Sequence, residues 1–495
     1  MSKMFSGVKE YQFKKYDFKK EQPLNLKDKL TTLEKLRESK LFFDGMTISF
    51  HHHLRNGDYV ANMLFEIIEE LDLKDITIVA SSIFPVHSKM VDLIKNHNIT
   101  SIYAAYISGE VADCISQGYL KNPVYLHSHG ARARLLLNQE IKLDLAFIAC
   151  PCVDEQSNIN GSEGPSSCGV LGYAYADALV ADKVVAITDS LVAKVSDIEI
   201  SGNCVDYVVK VAKIGDANGI VSGTTQITKD PIGLLIARNA SKVIENSGLL
   251  KDGFSFQTGA GGISLAVAAE LKKIMIKNQI VGSFASGGIT GYLVEMLEER
   301  LFERLEDVQC FDLDAISSVK RNKNHQKMSA SHYANPYDET NIVKDLDVVI
   351  LGATEIDLNY NVNVITTSNG VIMGGSGGHS DTAAGAKLAI IVSKLVSGRI
   401  SVIKDKVTTI TTPGETIDVL VTDYGIAINP KHQQLISDLK EKTNLKILTI
   451  EELYQKALSL TGIPKKVEHS SEVVGIVEYR DGTILDYLYK VEDKG

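Results

Sequence analysis

The chain has 495 residues, of which 44% are hydrophobic and 23% charged, and its formal net charge is −10. This length exceeds a single ordinary core, so we expect at least two domains. The negative charge and the scattered basic residues argue against general nucleic-acid binding. The N-terminus has no apolar core of signal-peptide length, and no run of about 18 apolar residues occurs, so no membrane association is expected. Six cysteines form no disulfide framework, which indicates a reduced, cytoplasmic location.

The N-terminal residues 1–40 are rich in lysine and weakly patterned. They predict an arm that ends in one amphipathic helix over residues 26–39, with Leu30, Leu33 and Leu36 on one side. Arms of this kind often pack on another subunit, so we expect an oligomer.

Residues 41–229 alternate between short apolar strands and amphipathic helices. The predicted strands are 44–50, 76–80, 102–107, 124–127, 143–149 and 183–188, and the predicted helices are 59–71, 90–96, 131–138 and 174–181. Strands that are apolar throughout, separated by helices, are typical of a parallel α/β sheet. The pair Cys150 and Cys152 lacks redox or zinc spacing and is interpreted as structural.

The pattern restarts near residue 230, which we take as a domain boundary. A helix over 231–247, a strand over 252–257, the TGAGG loop (residues 258–262), a helix over 264–276 and a strand over 280–284 follow. Residues 44–45 match 252–253, residues 50–53 match 258–261, and residues 78–82 match 282–286 in place. The fold class is therefore α/β, with two tandem open α/β domains, 41–229 and 230–495, whose loops face one cleft.

The stretch GVIMGGSGGHSDTAAGAKLAIIV (residues 370–392) contains the GGSGG loop (residues 374–378) between two apolar segments. So many glycines indicate a sharp bend or a close approach to another group. A helix start just after the loop directs N–H groups into the same space, which favours a pocket for an anionic or polarised oxygen. The alternative is a glycine-rich turn without a ligand. Ser376 also matches a nucleophile elbow, but His379 lies only three residues away and would point elsewhere.

Two other loops carry candidate binding residues. The TGAGG loop precedes a helix, where phosphates or oxyanions bind, although Ser264 breaks the dinucleotide pattern and a plain tight turn is the alternative. The histidine loop (residues 51–56, HHHLRN) favours anion recognition by Arg55 and imidazoles. Successive histidines cannot all face one ion, so no metal site is predicted.

Downstream polar residues leave alternatives open. His127 and His129 could share one strand face or be ordinary strand-end histidines. Arg132 and Arg134 could meet carboxylates or phosphates, or lie on a solvated helix face. Glu355 follows a strand and suits nucleophilic or acid/base chemistry, with a surface strand-end carboxylate as the alternative.

Several motifs together resemble the CoA-transferase superfamily: ASGG, GATEID, GGSGGHSDTAAGAKLAIIV and LVTDYGIA. The segments FHHHLRNGDYV and HSHGARAR and the ending GGHSDTAAGAKL further resemble the citrate lyase alpha subunits within it, from about Leu41 onward. The resemblance implies two open α/β domains of the CoA-transferase type. It also implies transfer of a carrier thiol from acetyl to citrate, giving a citryl thioester and acetate, in fermentative citrate breakdown.

The resemblance also implies partners: a citrate lyase beta subunit and a gamma acyl carrier protein. No cofactor would be bound permanently, because CoA, or the phosphoribosyl-dephospho-CoA arm of the carrier, acts as a substrate. An alternative activity is that of an acetyl-CoA hydrolase or acetate CoA-transferase-like thioester enzyme. A third alternative is a subunit that only scaffolds a complex.

The site implied by the resemblance has three parts. The catalytic residues are Gly377 and Gly378, for the oxyanion, and Glu355, unless the acyl group passes directly between substrates through an anhydride. Citrate would bind the histidine loop, at His51, His52, His53, Arg55 and Asn56. The carrier arm would bind Gly259, Gly261, Gly262, His379 and Asp381.

Overall fold

The computed structural model describes residues 13–18, 20–51, 53–221, 226–259, 261–464 and 470–492. The described helices, in chain order, are α1 (Leu26–Lys29), α2 (Leu33–Glu38), α3 (Val60–Glu70), α4 (Met90–Lys95), α5 (Glu110–Ser116), α6 (His129–Leu137), α7 (Ala174–Val180), α8 (Pro231–Glu245), α9 (Gly262–Asn278), α10 (Gly291–Glu298), α11 (Leu313–Arg321), α12 (Ala330–Ala334), α13 (His379–Gly385), α14 (Gln433–Lys442) and α15 (Ile450–Thr461).

The described strands begin in the first half with β1 (Leu30–Thr31), β2 (Thr47–His51), β3 (Ile76–Ala80), β4 (Ile99–Ala104), β5 (Val124–Leu126), β6 (Leu145–Cys150), β7 (Cys152–Asp154), β8 (Ile159–Asn160), β9 (Lys183–Thr188), β10 (Leu191–Val192) and β11 (Tyr207–Lys210). They continue with β12 (Ser255–Thr258), β13 (Gly282–Ile289), β14 (Phe302–Cys310), β15 (His325–Lys327), β16 (Val348–Leu351), β17 (Glu355–Asp357), β18 (Val362–Asn363), β19 (Leu388–Val392), β20 (Val396–Ser397), β21 (Ile400–Ser401), β22 (Ile403–Lys404), β23 (Val419–Val421), β24 (Ile426–Ile428), β25 (Ile447–Leu448), β26 (Val473–Glu478) and β27 (Ile484–Tyr489).

Two large sheets organise the molecule, and their central strands have the same order. The first contains β11-β9-β6-β2-β3-β4-β5, and the second contains β23-β19-β16-β12-β13-β14-β15. The pairing register is also repeated, since Ile48 lies opposite Leu145 in one sheet and Phe256 opposite Val348 in the other. The predicted internal repeat therefore extends to the level of single residue pairs.

One part of the predicted repeat is wrong by three residues. Ile78 lies opposite Ile48, and the equivalent partner of Phe256 is Ala285. Residue 78 therefore matches residue 285, whereas the sequence matched it to residue 282. Strand β13 has eight residues and β3 has five. Because the two strands differ in length, matching them from their first residues gave a shifted correspondence.

A second repeated feature, which the sequence analysis missed, follows the strands β6 and β16. Asp154 accepts a 2.9 Å hydrogen bond from the N–H of Asn158, and Asp357 accepts a 3.0 Å bond from the N–H of Asn361. The residue before each asparagine has a left-handed φ, 63° and 65° respectively. In each half this aspartate fixes a tight turn beside the sheet.

The predicted single N-terminal helix is interrupted. Leu30 and Thr31 form β1, which pairs with β11 at the edge of the first sheet. The Thr32 side chain then caps helix α2 by accepting from the N–H of Lys35. Two adjacent β-branched threonines favour this strand and cap over a continuous helix.

The C-terminal strands return to the first half of the molecule. β26 and β27 form an antiparallel hairpin, and β26 pairs in parallel with β5, with Gly475 opposite Val124. Residues 473–489, which the sequence analysis assigns to the second domain, thus complete the first sheet. The hairpin ties both halves together.

Apolar clusters cover both faces of the sheets, and the six cysteines are buried free thiols. Among the described residues, no helix is long and apolar enough to cross a bilayer.

Candidate active site

Tyr173 marks the place where loops of the two halves converge. The ring centroid of His51, at the end of β2, lies 4.9 Å from that of Tyr173, and the ring of His129 lies 4.6 Å away. Tyr173 is buried, and burial raises the pKa of its hydroxyl well above the usual range. The phenol therefore stays neutral.

The GGSGG loop lies against the first half. The N–H of Gly377 donates to the carbonyl of Ala105 (3.1 Å), and the carbonyl of Gly377 accepts from the N–H of His129 (2.8 Å). Gly377 has φ +51°, which favours glycine at this point. Its N–H is engaged here and is not available to an oxyanion, so Gly378 is the better of the two predicted donors.

Gly378 lies against a buried polar chain that reaches the other glycine loop. An added Cβ at Gly378 would come within 2.4 Å of the Tyr333 hydroxyl, so no side chain fits. The Tyr333 hydroxyl accepts a 2.7 Å bond from the Gln257 amide, whose oxygen accepts a 3.0 Å bond from Ser286. Gln257 directly precedes the TGAGG loop, so this chain of hydrogen bonds couples the two loops.

The TGAGG loop leads into α9, which has 17 residues and no side-chain cap at its start. An added Cβ at Gly259 would find its nearest atom at 3.5 Å, and at Gly261 the nearest would be at 3.9 Å. At Gly262 the carbonyl of Gln226 is only 2.9 Å away. Gly259 and Gly261 therefore border open space at a helix N-terminus, whereas Gly262 is required for packing.

The histidine loop lies largely inside the protein, and His52 falls outside the described residues. His51 Nδ1 is hydrogen-bonded to the Ser81 hydroxyl, and the His53 ring centroid is 3.6 Å from that of His51. The side-chain oxygen of Asn56 accepts from the N–H of Val86 (3.1 Å). Asn56, which the sequence analysis assigned to citrate binding, is exposed, and its side-chain oxygen is already bonded to the backbone.

Arg55 lies between two aromatic rings, one from each half. Its guanidinium carbon is 5.4 Å from the Phe84 centroid and 4.8 Å from the Phe311 centroid. Burial lowers the pKa of the guanidinium, and the nearby Tyr106 and Tyr173 oppose that shift. Its Nη1 atom is buried and has no hydrogen-bond partner among the described residues. A buried donor without a partner is costly, so this position suits a carboxylate ligand.

His127 and His129 do not share a strand face. β5 ends at Leu126, and Ser128 caps α6, with its hydroxyl accepting from the N–H of Ala131. Burial lowers the pKa of both histidines to about 3, so both rings are neutral at pH 7. Neither ring is a cation at that pH.

His379 and Ser376 do not form a nucleophilic pair. The two His379 nitrogens contact the Thr412 hydroxyl (2.7 Å) and the Gly352 carbonyl (2.9 Å), and burial lowers the pKa of the ring to about 4. The Ser376 hydroxyl is 2.9 Å from that of Ser380. The elbow-like pattern therefore carries no hydrolase geometry.

Asp381 is fully buried in a network between the halves. Its carboxylate accepts from Ser128 (2.8 Å), from the N–H of Gly130 (2.8 Å) and from Arg480 (3.0 Å). Burial raises the pKa of Asp381, while Arg480 and the other donors oppose that rise. All of these contacts are internal, so a carrier arm could not reach the carboxylate without displacing them.

Arg132 and Arg134 meet carboxylates, which excludes the solvated helix face. Arg132 is buried and makes a bidentate pair with Asp177, at 2.8 and 2.9 Å. Arg134 contacts Glu140 and also Glu478 of the C-terminal hairpin. Both arginines therefore have structural partners within the protein.

A pocket of about 1180 Å³ lies beside α14 and α15, and it contains none of the predicted site residues. The Tyr173 region is the better candidate because it gathers a glycine loop, the neutral ring of His129 and a half-buried arginine.

The comparisons with known proteins agree with one another. The family description "Citrate lyase, alpha subunit (CitF)" matches residues 27–491. The chain belongs to the citrate lyase alpha subunit family. It is 47% identical over 464 residues to the citrate lyase alpha chain of Haemophilus influenzae, covering 94% of this chain and 93% of that protein. The Klebsiella pneumoniae alpha chain is 46% identical over 451 residues, 91% of this chain and 89% of that protein.

A solved structure is also similar. It is described as the alpha subunit of citrate lyase from Streptococcus mutans in complex with citrate, at 44% identity and TM-score 0.94, covering 99% of this chain and 96% of that one. The family resemblance and the predicted α/β fold class are confirmed. As a member of this family, the chain is a component of citrate lyase, a multi-subunit enzyme, and has citrate CoA-transferase activity.

In this citrate lyase alpha subunit, Glu355 is not beside the converging loops. Its carboxylate accepts from Ser368 (2.5 Å), Asn363 (3.0 Å) and the N–H of Thr408 (2.8 Å), and it lies 3.6 Å from Lys404. Burial opposes ionisation, but these partners outweigh it and lower the pKa of Glu355. It borders a pocket of about 400 Å³ that contains no other predicted site residue. The sequence order misled here, because the Glu355 side chain lies among Asn363, Ser368 and Thr408 and not beside the GGSGG loop.

Three fully buried residues form a cluster that the sequence analysis also missed: Asp307, Cys310 and His325. The Cys310 thiol and His325 Nε2 both contact one oxygen of Asp307, at 3.0 and 2.9 Å, which are hydrogen-bond distances. Two residues further along β14, the Gln309 amide donates to the carbonyl of His53 (3.4 Å). The cluster therefore supports the histidine loop from the second half of the alpha subunit.

Some site residues had a detectable signal and others had none. Gln257 is a buried polar residue in the strand that leads directly into a glycine loop, and its place before that loop is a usable signal. Tyr173 directly precedes α7 and Tyr333 lies in α12, and neither stands in a recognisable motif. Arg480 precedes Asp481-Gly482, a pattern typical of an exposed turn, and only the structure shows it buried.

Proposed function

We propose that this chain exchanges acetyl for citryl on a carrier thiol: acetyl thioester plus citrate gives citryl thioester plus acetate. The observation that carries the proposal is the convergence on Tyr173 of the histidine loop, the start of α6 and the GGSGG loop. The site thus joins an anion-binding loop of one half to glycine loops of the other. Transfer of this kind needs both an acceptor carboxylate and a thioester in one cleft.

Citrate is the substrate that fits the first-half side of the cleft. Arg55 offers a planar guanidinium whose buried Nη1 has no partner among the described residues. A guanidinium matches a carboxylate in a bidentate pair, and the rings of His51 and His53 supply directional contacts next to it. The similar Streptococcus mutans protein was solved in complex with citrate.

The thioester fits the second-half side. The start of α9 and the open space at Gly259 and Gly261 suit the phosphates and pantetheine of a CoA-like arm. Gly378 would supply an N–H to the carbonyl oxygen as negative charge develops there. The arm would belong to CoA or to a gamma acyl carrier protein, with no resident cofactor, and a beta subunit would cleave the citryl product. A CoA-type thioester as substrate favours a cytoplasmic location for the reaction.

Direct transfer through an anhydride suits this geometry better than a glutamyl intermediate. A citrate carboxylate oxygen attacks the acetyl carbonyl, the C–S bond breaks, and the thiolate leaves with the electron pair. The thiolate then attacks the citryl carbonyl of the mixed anhydride, the C–O bond breaks, and acetate leaves. Glu355 takes no covalent part, because three hydrogen-bond donors already occupy its carboxylate.

The experiment incubates the purified chain with acetyl-CoA and labelled citrate. We expect labelled citryl-CoA and one acetate per citryl-CoA formed. Release of free thiol without citrate would instead identify a hydrolase. If neither product forms with acetyl-CoA or with an acetylated carrier protein, while the chain is folded, the proposal fails and a scaffold role is favoured.

A further inference from the structure

The turn of the C-terminal hairpin is buried, although hairpin turns normally lie at the surface. Tyr479 and Arg480 are 0% exposed, and Asp481 is 2% exposed. The turn is closed by hydrogen bonds from the N–H of Gly482 to Tyr479 and from the N–H of Tyr479 to Thr483. The turn is ordered, and it places a buried arginine at its tip inside the molecule.

Arg480 reaches across the boundary between the halves. Its Nε donates to Asp381 (3.0 Å), and its Nη2 donates to the carbonyl of Ala334 at the end of α12 (2.9 Å). Both Arg480 and Asp381 are 0% exposed as side chains. The ion pair therefore joins the hairpin, which belongs to the first sheet, to helices of the second half.

Asp381 connects the ion pair with Arg480 to the candidate site. It lies in the first turn of α13, three residues after Gly378, and its other contacts are the hydroxyl of Ser128 and the N–H of Gly130. Those two residues flank His129, whose N–H holds the Gly377 carbonyl. One carboxylate thus fixes the position of the GGSGG loop relative to the start of α6.

We infer that Arg480 is a positioning residue for the transferase site: by pairing with Asp381, it holds the GGSGG loop and the start of α6 in the geometry that transfer requires. This inference rests on the proposed function and deepens it. Arg480 touches no substrate in this scheme, since it acts through Asp381. The C-terminal hairpin would then help to hold the site in its active geometry.

The pairing predicts a pH signature. The phenols of Tyr333 and Tyr173, which burial keeps neutral, also interact with Asp381, and the charged pair of Arg134 and Glu478 lies beside the hairpin turn. Burial raises the pKa of Asp381, and Arg480 is the largest opposing influence. Removing the Arg480 charge should therefore raise that pKa further. Asp381 would then protonate, and activity would fall, at a higher pH than in the unchanged protein.

The test compares Arg480→Gln and Arg480→Lys with the unchanged chain, over a range of pH, in the acetyl-CoA and citrate assay. For Arg480→Gln we expect about a tenfold to hundredfold lower kcat and an acid limb of the kcat profile moved to higher pH. Arg480→Lys keeps a charge and should recover part of kcat with a smaller shift. The matched control is Asp486→Ala, which loosens the same hairpin where Asp486 accepts from the N–H of Ile410 (2.8 Å).

The control should lower the melting temperature without moving the acid limb. Unchanged kcat and pH profile in folded Arg480→Gln would overturn the inference, and so would equal losses in Arg480→Gln and Asp486→Ala with no shift in either. If Arg480→Gln does not fold, the double variant Asp381→Asn/Arg480→Gln carries the test, since it buries no unpaired charge. The double variant should have a low kcat, and its pH profile of kcat should have no acid limb. An acid limb that remains in this variant would contradict the inference. Inactivity of the unchanged chain would instead count against the proposed function.

Discussion

The main-chain N–H of His129 donates a 2.8 Å hydrogen bond to the carbonyl of Gly377. This single bond joins the start of α6, in the first half, to the GGSGG loop of the second half. Because backbone atoms make the contact, it depends on chain geometry and not on the identity of either side chain.

Gly378→Ala should impair transfer because its Cβ would lie 2.4 Å from the Tyr333 hydroxyl. We expect at least a tenfold lower kcat, measured by citryl-CoA formation. Tyr333→Phe removes the clashing oxygen, so the double variant Gly378→Ala/Tyr333→Phe should recover part of the activity. Losses that simply add in the double variant would show that the two residues do not interact.

Gly259→Val should weaken binding of the acetyl thioester without unfolding the protein. Its Cβ would have no atom closer than 3.5 Å, so the fold tolerates it, but the side chain would fill the space before α9. We expect a roughly tenfold higher KM for acetyl-CoA and an unchanged KM for citrate. The matched variant Gly262→Val, with 2.9 Å to the Gln226 carbonyl, should lower the melting temperature instead. An unchanged KM for acetyl-CoA in Gly259→Val would remove this loop from thioester binding.

Arg55→Lys should weaken citrate binding, since an ammonium cannot reproduce a planar guanidinium held between two rings. We expect a loss of about 2 kcal/mol, or roughly thirtyfold in KM for citrate, with KM for acetyl-CoA little changed. The control is Lys446→Gln, which removes a cation 3.6 Å from the Tyr424 ring, away from the site. Equal effects on both substrates would argue that Arg55 only supports the loop.

Glu355→Gln should keep most of the transferase activity. The variant loses part of the hydrogen bonding to Ser368, Asn363 and Thr408, which costs about 1–3 kcal/mol of stability. Borohydride treatment during turnover should leave residue 355 of the unchanged chain unmodified in mass spectrometry. Complete loss of activity together with a trapped adduct would restore Glu355 as the acyl acceptor.

Stability should fall as the pH drops below about 6.5. Burial lowers the pKa of His127 and His129 to about 3 and that of His379 to about 4. The unfolded chain, with an ordinary histidine pKa, binds more protons in this window, so protonation favours unfolding. Each histidine contributes up to about 1.4 kcal/mol per pH unit.

The measurement is the free energy of unfolding in urea between about pH 7.5 and about pH 5, roughly 1 unit above and roughly 1.5 units below the ordinary histidine pKa. His379→Gln should be less stable overall but should have a flatter pH dependence, by about one proton. The same slope in both proteins would show that His379 is not neutral in the folded state.

The architecture could be predicted from the sequence because the same short sequence patterns occur in both halves. The turn before β2 and the turn before β12 carry the same pair, Asp44-Gly45 and Asp252-Gly253, and both glycines have φ near +80° (79° and 80°). Apolar runs then identified the strands that follow. The N-terminal helix was overestimated since β1 forms only by pairing with β11, a contact distant in sequence.

The site was only partly predictable for the same reason. Gly378 and Arg55 stand in motifs that point to their chemistry. Their environments come from Tyr333 and Phe311, which no local pattern connects to them. Glu355 has the right residue type near the glycine loop in sequence, but tertiary folding turned it toward Lys404.

The position of the C-terminal hairpin constrains how the protein can be made. Strand β5 is an open edge of the first sheet until β26 pairs with it. Arg134 cannot pair with Glu478 until that residue, 344 positions further along, has been synthesised. During synthesis the first sheet therefore stays incomplete until almost the whole second half has emerged. An exposed parallel edge of that kind attracts other strands. Stalled or C-terminally shortened chains should be the aggregation-prone species of this protein, even though their missing piece is a single hairpin.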